Sequence, residues 1–286
     1  MGAMMLVRSV WSLVKHAATD WRKDAVPRFS ASLAFYTFFS LAPLLTITIA
    51  VCGIFFGRAA AEGRIYSELN AFVGPDTASA VQAMVRSAWQ PGKDVWAMVV
   101  GLVVLLVGAT GVLNELNGAL NHIWGVRGPT SAKVIFLNQT KLLGLLLGIG
   151  FLLVVSLVFS ASLAALGQFY GAWLPGPELL LHGLDLAFEW VMIIFIFGGI
   201  FKWLPDAHIA WKDVWTGAAF TSFLFLAGKF LISLYLGHSG ISSVYGAAGS
   251  LIVVLVWVYY SALIFYFGAE FTKVYANTYG SHVKGR

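Results

Sequence analysis

The stretch FLAGKFLISLY, residues 225–235, holds one charged side chain, Lys229, among ten uncharged neighbours. It lies inside a longer apolar run, Val214 to Leu236. A hydrocarbon slab of about 30 Å takes about 20 helical residues at about 1.5 Å each, so that run is long enough to cross a bilayer. On this reading an ammonium group sits within the membrane, where an ionisable side chain costs about 2.5–3.5 kcal/mol on insertion scales and turns toward a partner or a wet cavity.

The rest of the chain agrees with a membrane reading. Of 286 residues 59% are hydrophobic and 11% charged, against about 25% charged in an average soluble domain, and the mean hydropathy is +0.82. No Asp, Glu, Lys or Arg occurs from Phe29 to Gly57, Val95 to Asn114, Leu142 to Pro177 or Phe230 to Ala269. Two further spans carry isolated charges: Leu184 to Trp203, with Asp185, Glu189 and Lys202, and Val214 to Leu236. The expected fold is therefore all-α, a polytopic membrane protein with six transmembrane helices forming a single membrane domain over 1–286. The first 28 residues lack a continuous apolar core followed by a small-residue cleavage site, so the first span is expected to stay in the mature protein.

Thirteen of the eighteen basic residues fall in the N-terminal arm, the loops after spans 2 and 4, and the tail; four fall after span 1, and Lys229 lies within a span. Basic residues are retained on the cytoplasmic side, which predicts cytoplasmic N and C termini, with an arm at 1–28 and a tail at 272–286. The net charge of +5 then reads as a topology signal with some attraction to anionic headgroups, and not as a nucleic-acid surface. In the arm Leu6, Val10, Leu13, Val14, Ala17 and Trp21 recur at helical spacing, with Arg8, Lys15, Arg22 and Lys23 off that face. Such a helix either lies in the headgroup layer or packs on the ends of the bundle. Between spans 1 and 2, residues 58–94 are too polar to cross and predict a periplasmic helical hairpin broken at Gly74 and Pro75, with Asp76 or Thr77 as a cap.

Chemistry-bearing motifs are missing from the sequence. The six histidines never fall two within one helical turn, and there is no HExxH, CxxC, GxSxG, Walker or dinucleotide-binding pattern. The lone Cys52 builds neither a disulfide framework nor a thiolate site within one chain. No catalytic residue, metal or cofactor is expected, and the chain does not read as an enzyme. Gly144 and Gly148 fit close helix packing.

The intramembrane charges carry the functional expectation. Counting at 1.5 Å per residue puts Lys229 about 10 Å and Glu189 about 7 Å below the same outer surface, which predicts that they pair. Snorkelling of Lys229 to the headgroups and pairing with Asp185 are the alternatives. Ala218, Ser222, Leu226, Lys229 and Ser233 form one helical stripe; Gly246, Ser250, Val253, Trp257, Ser261, Ile264 and Gly268 form another, ending beside Glu270. Together they could line a polar crevice in which Lys229, Glu189, Ser222, Ser233 and Trp257 meet a lipid headgroup. Glu115, Lys202 and Glu270 lie near the cytoplasmic ends and read as charges resting in the interface. Pro43 removes a backbone bond and predicts a kink or hinge in the first span. Trp173, Trp190, Trp203, Trp211 and Trp215 suit interfacial belts.

FSASLAFYTFFSLAPLL at 29–45, ALNHIWGV at 119–126, LPDAHIAWKDVWTGA at 204–218, GKFLISLYL at 228–236 and SSVYGAAGSLIVVLVWVYYSALIFYFGAEF at 242–271 together resemble the YihY/BrkB family of bacterial inner-membrane proteins. The resemblance runs from about residue 20 to 276. It places Pro43, Asn121, Pro205, Lys229, Tyr245, Gly246 and Glu270 in recurring motifs and offers no catalytic residue to carry over. The family's old label, ribonuclease BN, has no counterpart in the motifs of this chain. The resemblance implies an inner-membrane location and handling of lipopolysaccharide or phospholipid, with membrane lipids as partners, no nucleic acid, and a homo-oligomer compatible with the sequence. A non-transporting scaffold and a small-solute or ion transporter are the other classes; the last should carry more acidic groups near the midplane than this chain does.

Overall fold

The computed structural model describes residues 2–56, 75–88, 95–126, 177–238 and 249–281, with scattered helical positions between 62 and 70 and between 144 and 155. Among the described residues every regular element is a helix: α1 (Gly2–Lys23), α2 (Val26–Phe56), α3 (Pro75–Ala88), α4 (Val95–Ile123), α5 (Pro177–Trp203), α6 (Trp211–His238) and α7 (Gly249–Thr278). Three stretches, Leu186–Trp203, Trp211–Leu236 and Leu251–Thr278, are long and apolar enough to cross a membrane. They coincide with the expected fourth, fifth and sixth spans. Helices α2 and α4, of 31 and 29 residues, occupy the expected first and second. The expected third span, within 142–177, lies outside the described residues, as do Trp173, Tyr245 and Gly246, so the count of six stays an expectation of the sequence. Helix α2 runs on through Pro43.

By internal contacts the chain divides into two units, Met1–Asp20 with Leu120–Leu226 and Phe267–Arg286, and Trp21–Ala119 with Ala227–Tyr266. In the first unit Leu13 and Ala17 of α1 are buried against Phe271 and Val274 of α7, with Val14, Phe220, Phe267 and Tyr275 around them. The apolar face of the arm is thus covered by the end of α7, which decides between the two placements that its periodicity allows. Trp11, Ser12, Lys15, His16 and Thr19 remain exposed on the other side.

Within this unit α6 and α7 approach each other closely. A Cβ on Gly217 would overlap the side chain of Thr272, and a Cβ on Gly268 would overlap that of Thr221. Each helix therefore offers a glycine to the other's threonine, at reciprocal positions four residues apart. Buried hydroxyls are costly unless bonded, and both are bonded locally: Thr221 Oγ1 donates to the Gly217 carbonyl at 2.7 Å and Thr272 Oγ1 to the Gly268 carbonyl at 2.6 Å. Beside the crossing the rings of Phe220 and Phe271 stack with centroids 3.7 Å apart.

In the second unit Ala80 and Val81 of α3 join Ile232, Leu236, Val253 and Val254 in one core, flanked by Phe38, Leu41 and Leu45 of α2 and by Trp257 and Tyr260 of α7. The polar insertion between the first two spans thus docks an apolar face. Helix α3 begins at Pro75, where a proline needs no intrahelical partner for its nitrogen. Gly108 and Gly111 let α4 lie against Ser40 and Tyr36 of α2.

Between α1 and α2 the chain turns through Ala25, at φ 51°. A left-handed residue with a Cβ costs about 1–2 kcal/mol. Ala25→Gly should stabilise the protein by about 0.5–1 kcal/mol after glycine's extra unfolded-state entropy is counted, read as a higher unfolding midpoint in detergent; a lower midpoint contradicts the turn. Gly268→Ala should cost about 1–3 kcal/mol by overpacking against Thr221, and an unchanged midpoint would mean that the two helices do not meet there.

Candidate functional site

Two of the quoted motifs fold together at one end of the first unit. Helix α4 ends on a glycine cap: Gly125, at φ 63°, donates its N–H to His122 O at 3.0 Å, and Val126 donates to Asn121 O at 2.9 Å. Such a cap needs a left-handed residue after the helix, which glycine supplies without a Cβ penalty. It fixes the last turn, and with it Asn121, which is buried. The Asn121 amide donates from Nδ2 to Asp206 Oδ2 at 2.9 Å, and its Oδ1 accepts the Asp206 backbone N–H at 2.8 Å. One side chain therefore grips both the backbone and the carboxylate of the loop between α5 and α6. The same loop is held from the other side by Lys202, whose Nζ donates to Ile209 O at 2.5 Å and lies 5.4 Å from the centre of the Trp211 ring.

The following turn is tied just as firmly to the end of α7. Asp213, in the first turn of α6 and buried, accepts the Ser281 N–H at 3.0 Å and the Ser281 hydroxyl at 2.6 Å, both on Oδ2. Its position also suits the partial positive charge of a helix N-terminus. Glu270 has no exposure at all and receives Lys273 Nζ on Oε2 at 3.4 Å. It lies well inside α7, unlike a charge resting at an exposed helix end. Lys202 does close α5, and Glu115 is half-buried within α4.

Exposed aromatic rings surround this end. Trp203 packs edge-on to Trp211, Trp211 stacks on Trp215, and Phe195 meets Trp215 edge-on. Trp190, nearer the middle of α5, and these rings are exposed; the interfacial belt stays an expectation of the sequence.

Lys229 lies on α6 beyond this region. It is half-buried, as are Leu226 and Ser233, while Ala218 and Ser222 on the same stripe are buried. The Ser222 hydroxyl donates to Ala218 O at 2.7 Å. The neighbouring side of α6 carries Phe223, Phe230, Leu231 and Leu234, each at least half exposed. Ala218 and Ser222 thus turn inward, Leu226, Lys229 and Ser233 take half-buried positions, and Phe223, Phe230, Leu231 and Leu234 face out. On α7 Val253 and Gly268 are buried and Trp257, Ser261 and Ile264 half-buried. Glu189, half-buried on α5, falls in the first unit and Lys229 in the second; their pairing stays an expectation of the sequence. The side chain of Pro43 lies outside the described residues. Among the described residues no three His, Cys, Asp or Glu side chains are placed to hold a metal ion.

A family profile described as Virulence factor BrkB matches residues 17–286. A UPF0761 membrane protein of Pseudomonas aeruginosa is 30% identical over 252 residues, covering 86% of this chain and 58% of that protein. Counterparts in Methylibium petroleiphilum and Tolumonas auensis are 28% and 27% identical, over 92% and 90% of this chain and 62% and 84% of theirs. The chain thus spans less than two thirds of the length of the Pseudomonas and Methylibium proteins. No solved structure matches.

The grip of Asn121 on Asp206 generates a direct expectation. Asn121→Ala takes one partner from a backbone donor and one from a carboxylate of a part-buried loop, which costs about 1–3 kcal/mol. The check is the unfolding midpoint of the purified chain in detergent, which should fall; an unchanged midpoint would show that the loop is held without it.

Proposed function

The chain belongs to the Virulence factor BrkB family, and we propose that this integral membrane protein moves lipid or lipopolysaccharide-type amphiphiles, with Lys229 drawing in the anionic headgroup. The observation that carries the reading is the placement of Lys229. A half-buried ammonium on an apolar helix has the half-buried Ser233 one turn on, next to an outward side made of Phe230, Leu231 and Leu234. An amphiphile needs that adjacency: a cation and a hydroxyl out of the lipid for its phosphate, and a greasy surface alongside for its acyl chains. A charged residue in a span is expensive and takes an inward or wet position, whereas Phe230 and Leu231 cost nothing in contact with lipid tails. The sequence has no ATP-binding motif, so directed movement draws on an ion gradient, a partner or a concentration difference.

A second reading, a non-transporting scaffold, is favoured by the firmness of the first unit's end, where Asn121 holds Asp206 and Asp213 holds Ser281. The two readings part at Lys229. Lys229→Met keeps length and apolar contact while removing charge. In vesicles reconstituted with the full chain and a fluorescent phosphatidylglycerol, transport predicts normal folding and lipid movement slowed at least about tenfold, the equivalent of one lost charge-assisted hydrogen bond; Lys229→Arg should keep most of the rate. Unchanged lipid movement in Lys229→Met, or a wild-type chain that moves no lipid while the variant fails to assemble, sinks the transport reading.

A further inference from the structure

Helix α1 presents two unlike faces, and only one is covered. Leu13 and Ala17 are buried against Phe271 and Val274, which lie in the last two turns of α7, at the end of the apolar stretch Leu251–Thr278. The contact therefore sits near one end of the part of α7 that is long and apolar enough to cross a membrane. The uncovered face carries Trp11, Lys15, His16, Arg22 and Lys23, all exposed. Lys15 and Arg22 stand seven residues apart, which places them in one register along a helix at 3.6 residues per turn, about 10 Å from one another. Trp11 is 60% exposed, and Lys15 Nζ lies 5.4 Å from the centre of its ring. The acidic residues of the segment, Asp20 and Asp24, are half-buried and engaged in interactions of their own. Among the described side chains of this segment Lys15, Arg22 and Lys23 are thus exposed, and Asp20 and Asp24 half-buried.

From these observations we infer that the exposed face of α1 is a binding surface for the anionic phospholipid headgroups of the leaflet at that end of α7. The row of cations supplies the charge complement. Trp11 supplies an aromatic group of the kind that settles at headgroup depth. Position selects lipid over a soluble polyanion: a face fixed at the end of a span meets headgroups at very high local concentration, and each cation near an anionic surface adds attraction that salt screens. This site is separate from Lys229 and does not depend on the transport reading.

The test uses the purified full chain in neutral detergent, titrated with fluorescent phosphatidylglycerol and, in parallel, with fluorescent phosphatidylcholine. The wild-type chain should bind phosphatidylglycerol more tightly, and added salt should weaken that preference. Lys15→Gln combined with Arg22→Gln should raise the phosphatidylglycerol midpoint about thirtyfold, on the order of fivefold per charge, and leave phosphatidylcholine unchanged. Both positions are exposed, so circular dichroism and gel-filtration elution should match the wild type; Lys15→Arg with Arg22→Lys should retain the midpoint and serves as the test if the glutamine variant misfolds. Lys229→Met should leave the loss caused by the α1 substitutions intact, which separates the two sites. A salt-insensitive or absent preference for phosphatidylglycerol overturns the inference, as does a glutamine variant that binds like wild type. Displacement of the lipid by an acidic phosphopeptide at equal phosphate concentration also overturns it and makes the face a protein-docking site.

Discussion

Two helices that cross in lipid gain nothing from hiding apolar surface, because the acyl chains are as apolar as the side chains they replace. What holds α6 to α7 must then be close approach, and the reciprocal seating of Thr272 on Gly217 and Thr221 on Gly268 supplies it. Each glycine removes the atoms that would hold the backbones apart, and each threonine fills the space while returning its hydroxyl to the carbonyl one turn back. Other features of the first unit lean on this crossing. The Phe220–Phe271 stack lies beside it and forms part of the surface on which Leu13 and Ala17 of α1 settle. Asp213, four residues before Gly217, holds Ser281 at the end of α7. Glu270 is enclosed between Gly268 and Thr272 in the sequence.

The helical character was legible from the sequence because its signal is local. Charge-free runs marked the positions of α2, α4 and α7, and two apolar spans with isolated charges marked α5 and α6; the bounds of α2 and α6 agree within three residues, whereas α4 and α7 continue nine residues past their runs and the run at 230–269 also takes in the end of α6. The break at Gly74 and Pro75 marked the start of α3. The periodicity of the arm identified its apolar face but allowed two partners, and only the contact with Phe271 and Val274 decides between them. Of the stripe that small and polar residues at helical spacing marked out, Ala218 and Ser222 are buried and Lys229 and Ser233 half-buried; its role as a crevice wall stays an expectation of the sequence.

What escaped the sequence is pairing between distant residues. Asn121 and Asp206 are 85 positions apart, and nothing in either motif alone points to the other; Asp213 and Ser281 are 68 apart. Gly217–Thr221 and Gly268–Thr272 are visible as two small-residue spacings of four, yet a single such spacing recurs too often in apolar helices to name its partner. Glu270 was placed by counting from the helix end, which gives depth and no burial. The site at Lys229 was legible as an expense to be explained, since a charge in an apolar helix is a departure from pattern. Its use has to be argued from its neighbours, and the family carries the chain only as far as an integral membrane protein.

The interlock is tested most directly by a double-mutant cycle on Gly217→Ala and Thr272→Gly, with unfolding of the purified chain in detergent as the readout. A methyl at 217 collides with the threonine and not with a glycine, so alanine at 217 should destabilise the wild-type background by about 1–3 kcal/mol and cost at least about 1 kcal/mol less in the Thr272→Gly background. Strictly additive effects of the two substitutions would contradict the account, because they would place Gly217 and Thr272 out of contact.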